Sequence, residues 1–147
     1  MLRDIGELPR RGRILVDTAP IIYLLEDHPK YAERFAPVFE RAAAGRYEIV
    51  VSTVTLAEVL VGPLRLGDET LAERYRAALS EAPGWSLVEL TPAIALRAAR
   101  IRARTRMKLP DAIQLATALE TACVALVTHD RDFSGMGAAK ERLEVFG

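Results

Sequence analysis

Short apolar runs alternate along this chain with longer segments in which apolar residues recur at helical spacing. "RILVD" (13–17), "YEIVVS" (47–52), "SLVEL" (86–90) and "CVALVT" (123–128) are brief and mostly apolar, and read as buried strands. "LEVF" (143–146) adds a final short strand. The helical segments carry their own starts and stops. Pro20 suits a first helical turn, and Pro37 marks a break or a new helix start. Gly62-Pro63 ends a helix beginning near Thr55, Pro92 starts one running toward Arg104, and Pro110 starts another through "LPDAIQLATAL" (109–119). "SGMGAAKER" (134–142) reads as a loop or short helical turn.

Strands alternating with helices imply βαβ units, hence an α/β fold with a mostly parallel central sheet flanked by helices on both faces. The 147 residues suit one domain with a single sizeable core. Half are hydrophobic, as in a globular protein, and twenty basic residues balance twenty acidic ones. Net charge therefore gives no sign of a nucleic-acid partner, and local patches must decide. The lone Cys123 leaves no intrachain disulfide or cysteine metal cluster to form and reads as a small buried side chain. No apolar stretch reaches the roughly 18 residues a membrane span needs. The segment "MLRDIGELPRRGR" lacks the apolar core of a secretory signal, so a cytoplasmic location is expected.

Sites in open α/β sheets form beyond the carboxyl ends of the strands. Asp17 closes the first strand, Glu58 lies in the first turns of the helix after the second, and Asp130 and Asp132 follow the fourth. Asp111 opens the helix that leads into that fourth strand, so it starts at the same sheet edge. Each acid has an ordinary structural reading. Asp17 or Thr18 suits an N-cap, Thr55-x-x-Glu58 fits a capping box, Asp111 suits the helix dipole, and Asp130 and Asp132 suit turns. Together they are harder to explain as independent caps. Clustered carboxylates repel, and a hard divalent cation relieves them; oxygen-only ligands favour Mg²⁺ or Mn²⁺.

"VDTAPIIYLLE", "TLAEVLVGP", "RMKLPDAIQLATAL" and "LVTHDRDF", in this order, resemble the PIN-domain ribonucleases, above all the VapC-type toxins of bacterial toxin–antitoxin pairs. The resemblance extends from about Ile14 to Phe133. It implies a PIN-like three-layer sandwich over residues 14–147, with residues 1–13 as an N-terminal extension that does not touch the motifs. The family's acidic quartet falls on Asp17, Glu58, Asp111 and Asp130, with Asp17, Asp111 and Asp130 as the metal ligands. Thr128 is a supporting polar residue, and Asp132 ranks below Asp130 as an extra or substitute ligand. The resemblance further implies an endoribonuclease dependent on Mg²⁺ or Mn²⁺, commonly dimeric and held inactive by a cognate antitoxin. Its products would carry 5′-phosphate and 3′-hydroxyl ends. His129 and His28 are read as surface residues outside the site.

A cation held by carboxylates would activate water for attack on phosphorus and offset charge on the leaving oxygen. No Ser-His-Asp or Cys-His arrangement competes with that chemistry. An acidic site repels phosphate, and Thr91 to Pro110 contains cations and no acid. Arg97, Arg100, Arg104 and Lys108 fall at helical spacing as one basic stripe suited to an RNA backbone, against the simpler reading of a solvated face. Residues 18–45, rich in Tyr, Phe, Leu and Ile, fill the core, and any excess would suit an antitoxin helix or a dimer face. A phosphoacceptor receiver is a poor fit, because Thr18 stands beside Asp17 and no lysine ends the last strand. A dehalogenase-like phosphatase would need an aspartate where Ala19 stands. The remaining alternative keeps the fold without activity, as a PIN-like protein- or RNA-binding module.

Overall fold

The computed structural model describes residues 2–130, 133 and 143–147. Five strands form one wholly parallel sheet in the order β3-β2-β1-β4-β5. They are β1 (Gly12–Val16), β2 (Tyr47–Ser52), β3 (Trp85–Val88), β4 (Ala125–Val127) and β5 (Glu144–Phe146). Each strand read from the sequence is present, β2 with the same bounds and the others with ends shifted by one or two residues. The helices are α1 (Thr18–Leu25), α2 (Ala32–Ala43), α3 (Thr53–Arg65), α4 (Glu69–Ser80), α5 (Pro92–Arg104) and α6 (Leu109–Glu120).

Strand periodicity separates the two cores. Ile14, Val16, Ile49, Val51, Ala125 and Val127 face one side and pack with Ile21, Phe35, Val38, Val59 and Leu79 of α1 to α4. Leu15, Val50 and Leu126 face the other, against Ile94 and Ala98 of α5 and Ala112, Leu115 and Ala116 of α6. A sheet between two helical layers is the three-layer sandwich expected. No helix among the described residues is long and apolar enough to cross a membrane. Ahead of β1, Ile5 and Leu8 are buried in the first core, and Arg3 exchanges backbone bonds with Val145 and Gly147 at the β5 edge.

Two helix boundaries differ from the reading of the prolines. Pro37 lies inside α2, which runs unbroken from Ala32 because Phe35, Val38 and Ala42 press its apolar face into the core. Packing outweighs the hydrogen bond that proline forfeits. Gly62-Pro63 likewise lies inside α3. The left-handed residue just beyond that helix is Gly67, at φ +69°, a backbone region that glycine enters without strain.

Candidate metal site at the carboxyl edge of the sheet

The sheet register sets the first contact. Val16 of β1 pairs with Val127 of β4, so Asp17 and Thr128 leave the sheet side by side. Asp17 N donates to Val127 O at 2.8 Å, and the Thr128 hydroxyl donates to Asp17 Oδ2 at 2.8 Å. Asp17 is also the N-cap of α1, its Oδ1 accepting from Thr18 N at 2.8 Å. Thr128 carries a second duty: its Oγ1 accepts from Asp130 N at 2.9 Å, which fixes the turn bearing the next acid.

Glu58 reaches the same place by losing its ordinary role. The cap of α3 is Ser52, whose hydroxyl accepts from Val54 N, so Thr55-x-x-Glu58 forms no capping box. Thr55 instead lies fully buried between Thr18 and Gln114, 3.0 Å and 2.7 Å away. Glu58 is left exposed at the rim, where Thr18 Oγ1 donates to it at 3.1 Å. Asp111 stands in the first turn of α6, and Pro110 shares that turn.

These residues line one pocket of about 250 Å³: Asp17, Glu58, Asp111 and Asp130 with Thr18 and Gln114. Four elements thus deliver four carboxylates to a single concavity. Asp132 lies outside the described residues, as does the 134–142 segment. Among the described residues, no three acids stand close enough to form a finished cation cage. They ring the pocket instead. Carboxylates around one concavity are oxygen-only donors of the kind that hard divalent cations take. The electrostatics agree. Burial pushes the Asp17 carboxyl above its ordinary range, against the hydrogen bonds from Thr128 and the Thr18 amide, and the charges of Glu58 and Asp130 push it the same way. A pocket that concentrates negative potential on a buried oxygen donor fits a divalent cation.

The basic stripe is only partly realised. Arg97, Arg100 and Arg104 lie on α5, but that helix ends at Arg104, and Lys108 instead precedes α6 as its N-cap. The bend at Thr105, in extended conformation, breaks the helical spacing the sequence suggested. Arg97 pairs with Glu120 at 3.1 Å, at the far end of α6 from Asp111. Nine helical residues separate Asp111 from Glu120, about 14 Å along the axis. Arg100, Arg104 and Lys108 are exposed, and Arg104 and Lys108 flank the loop that leads into the site.

The structure also draws in residues that sequence reasoning passed over. Gln114 is 1% exposed, and its amide nitrogen donates to Asp17 Oδ1 at 3.1 Å and to Thr55 Oγ1 at 2.7 Å. Its i, i+3 relation to Asp111, a polar side chain amid an apolar helix face, was the available signal. His129 is no plain surface residue. Its half-buried ring lies among Tyr23, Tyr31 and Phe35, and its Nδ1 is 2.7 Å from Tyr23 Oη. His28 stacks on Tyr31 in the same cluster.

Comparison with known proteins bears on the family and the fold. The PIN-domain family model matches residues 14–139. A toxin–antitoxin complex from Klebsiella pneumoniae is 28% identical, with a TM-score of 0.66 over 91% of this chain and 96% of that one. VapBC2 from Rickettsia felis, bound to a DNA fragment from its promoter, aligns at TM-score 0.69 and 16% identity, covering 90% and 96%. Mycobacterium tuberculosis VapC20, described as a sarcin–ricin loop cleaving toxin, aligns at TM-score 0.66 and 17% identity, covering 84% and 95%. Among curated proteins none matches this sequence. By the family match across most of its length and by the fold, this chain belongs to the PIN-domain family.

Proposed function

We propose that this protein is a divalent-cation-dependent endoribonuclease and the toxin of a type II toxin–antitoxin pair. One observation carries the reading: carboxylates from four separate elements line a single pocket around the buried Asp17. The Klebsiella complex, a toxin–antitoxin assembly, and VapC20, a sarcin–ricin loop cleaving toxin by its description, favour this member of the family's range. Asp17, Asp111 and Asp130 would hold Mg²⁺ or Mn²⁺, and Asp132 is a lesser candidate. Bound there, the cation supplies Lewis acidity at the phosphodiester and a water poised for deprotonation.

The chain's own residues do the rest. Asp17, fixed by hydrogen bonds to both oxygens, presents a rigid donor. Glu58, on the solvent side and steadied by Thr18, is placed to take a proton from the attacking water. Thr128 holds Asp17 and the Asp130 turn in one geometry. Arg100, Arg104 and Lys108 offset the repulsion between an acidic pocket and RNA phosphates. Attack of water on phosphorus, with the P–O3′ bond breaking and the 3′-oxygen leaving as a protonated hydroxyl, gives 5′-phosphate and 3′-hydroxyl ends and requires no side-chain nucleophile. A homodimer, held inactive in the cytoplasm by a bound antitoxin, completes the proposed assembly.

The test is cleavage of structured RNAs by the purified chain with Mg²⁺, with Mn²⁺ and with EDTA, beside Asp111→Asn. Cuts that need the metal and vanish in the variant are expected. Cleavage surviving both changes would sink the metal mechanism. A folded protein that cuts no member of a broad RNA panel would instead be a binding module.

A further inference from the structure

Gln114 is an expensive residue to keep where it is. Its amide oxygen is buried with no hydrogen-bond partner among the described residues, so an apolar side chain of equal volume would leave no such orphan. The amide cannot usefully turn over, because a nitrogen must face the Asp17 carboxylate, which only accepts. Both amide hydrogens are committed, one to Asp17 Oδ1 and one to Thr55 Oγ1. The chain thus tolerates an unsatisfied acceptor in order to place a donor against Asp17.

The lone pairs show what that donor accomplishes. A carboxylate offers about four acceptor sites, two on each oxygen. Asp17 Oδ1 receives Thr18 N at 2.8 Å and Gln114 Nε2 at 3.1 Å, which fills it. Oδ2 receives Thr128 Oγ1 at 2.8 Å, which leaves one site open. Without Gln114, Oδ1 would regain a site and the carboxylate could offer both oxygens.

We propose that Gln114 is the positioning residue of the site: by saturating Asp17 Oδ1 it makes Asp17 a one-oxygen donor, through Oδ2 alone. This rests on the metal-site reading above and adds which atom binds and what enforces it. On this proposal Gln114, although it lines the pocket, is not itself a ligand and acts through Asp17. Groups of this kind, behind a ligand, commonly change metal affinity or activity 10- to 100-fold.

The experiment measures Mn²⁺ affinity of the full chain by calorimetry, and the Mn²⁺ electron paramagnetic resonance spectrum, for wild type, Gln114→Met and Gln114→Glu. Met keeps the volume and removes the donor; Glu keeps the shape and turns the donor into an acceptor. Expected are about tenfold weaker binding in Gln114→Met and an altered Mn²⁺ spectrum in both variants, the added charge of Gln114→Glu offsetting part of its loss of affinity. A purely structural role predicts a lower melting temperature with Mn²⁺ affinity unchanged at 25 °C. Either variant, folded by circular dichroism, that binds Mn²⁺ within twofold of wild type with the same spectrum overturns the inference and leaves the metal site standing. Wild type that binds no Mn²⁺ overturns both. If Gln114→Met does not fold, the isosteric Gln114→Glu carries the test.

Discussion

Replacing Thr128 by valine tests the network that positions the acids. The substitution keeps the shape of a fully buried side chain and removes only its hydroxyl. Two hydrogen bonds go with it: the 2.8 Å bond donated to Asp17 Oδ2 and the 2.9 Å bond accepted from Asp130 N. A bond to a charged group contributes about 1.5–3 kcal/mol and a neutral one about 1 kcal/mol. Thr128→Val should therefore destabilise by about 2–4 kcal/mol, read by urea unfolding in EDTA. For a chain of this length that lowers the melting temperature by roughly 5–15 °C. Thr128→Ser, which retains the hydroxyl, should lose only about 1 kcal/mol for its missing methyl. Pairing Thr128→Val with Asp17→Ala in a double-mutant cycle isolates the bond between them, with a coupling of at least about 1 kcal/mol expected. Equal cost of Thr128→Val in both backgrounds would refute the assignment, because the hydroxyl would then owe nothing to Asp17.

Other predictions follow from the same contacts. Because burial raises the Asp17 carboxyl in the folded state, folding favours its protonated form; this contribution is present below the unfolded value and is lost as pH rises through the folded one. Metal-free Asp17→Asn should therefore be more stable than wild type at neutral pH and lose that advantage in acid, as melting curves across pH in EDTA will show. Arg104→Ala should reduce the salt dependence of RNA binding by about one unit of slope, measured by titration at several salt concentrations. Arg97→Ala, whose guanidinium meets Glu120 at the other end of α6, should leave that slope unchanged. Ile5→Ala, in the arm packed on the first core, should cost about 2 kcal/mol in urea unfolding despite lying far from the motifs in sequence.

What the sequence made legible is what period and topology govern. The strands stood out because short β-branched runs between turn signals have few other solutions, and the acids met because parallel strands send their carboxyl ends to one edge. Pro92 and Pro110 were read correctly because each sits at a helix start, where its missing N–H costs nothing. Pro37 and Pro63 misled because tertiary packing of α2 and α3 outweighs a local rule. Thr55 was taken for a cap because the cap lies three residues earlier, at Ser52, and one polar residue in a Ser-Thr-rich start looks like another. Gln114 was passed over, and His129 read as a surface residue, for a different reason. Their partners lie 97 and 106 residues away, and a local pattern such as the spacing of Gln114 from Asp111 can flag a residue without naming its partner.

These misses share a physical origin. The acids advertise themselves because function needs their charge, but charge alone does not produce a site; it produces mutual repulsion in a low-dielectric setting. What converts repulsion into a defined pocket is the set of neutral donors behind it: Thr18 to Glu58, Thr128 and Gln114 to Asp17. Each of these side chains joins elements distant in sequence. Thr18 links α1 to α3, Thr128 links the β4 turn to the start of α1, and Gln114 ties α6 to both Asp17 and Thr55. The orphaned oxygen of Gln114 and the burial that raises the Asp17 carboxyl are two separate costs to stability, both incurred where an oxygen donor must stay fixed. A chain could keep all four carboxylates and still lose its site if those hydroxyls and that amide were replaced by apolar side chains of the same size. The acids alone are thus a poor criterion for an active member of this fold, and the donors behind them are the sharper one.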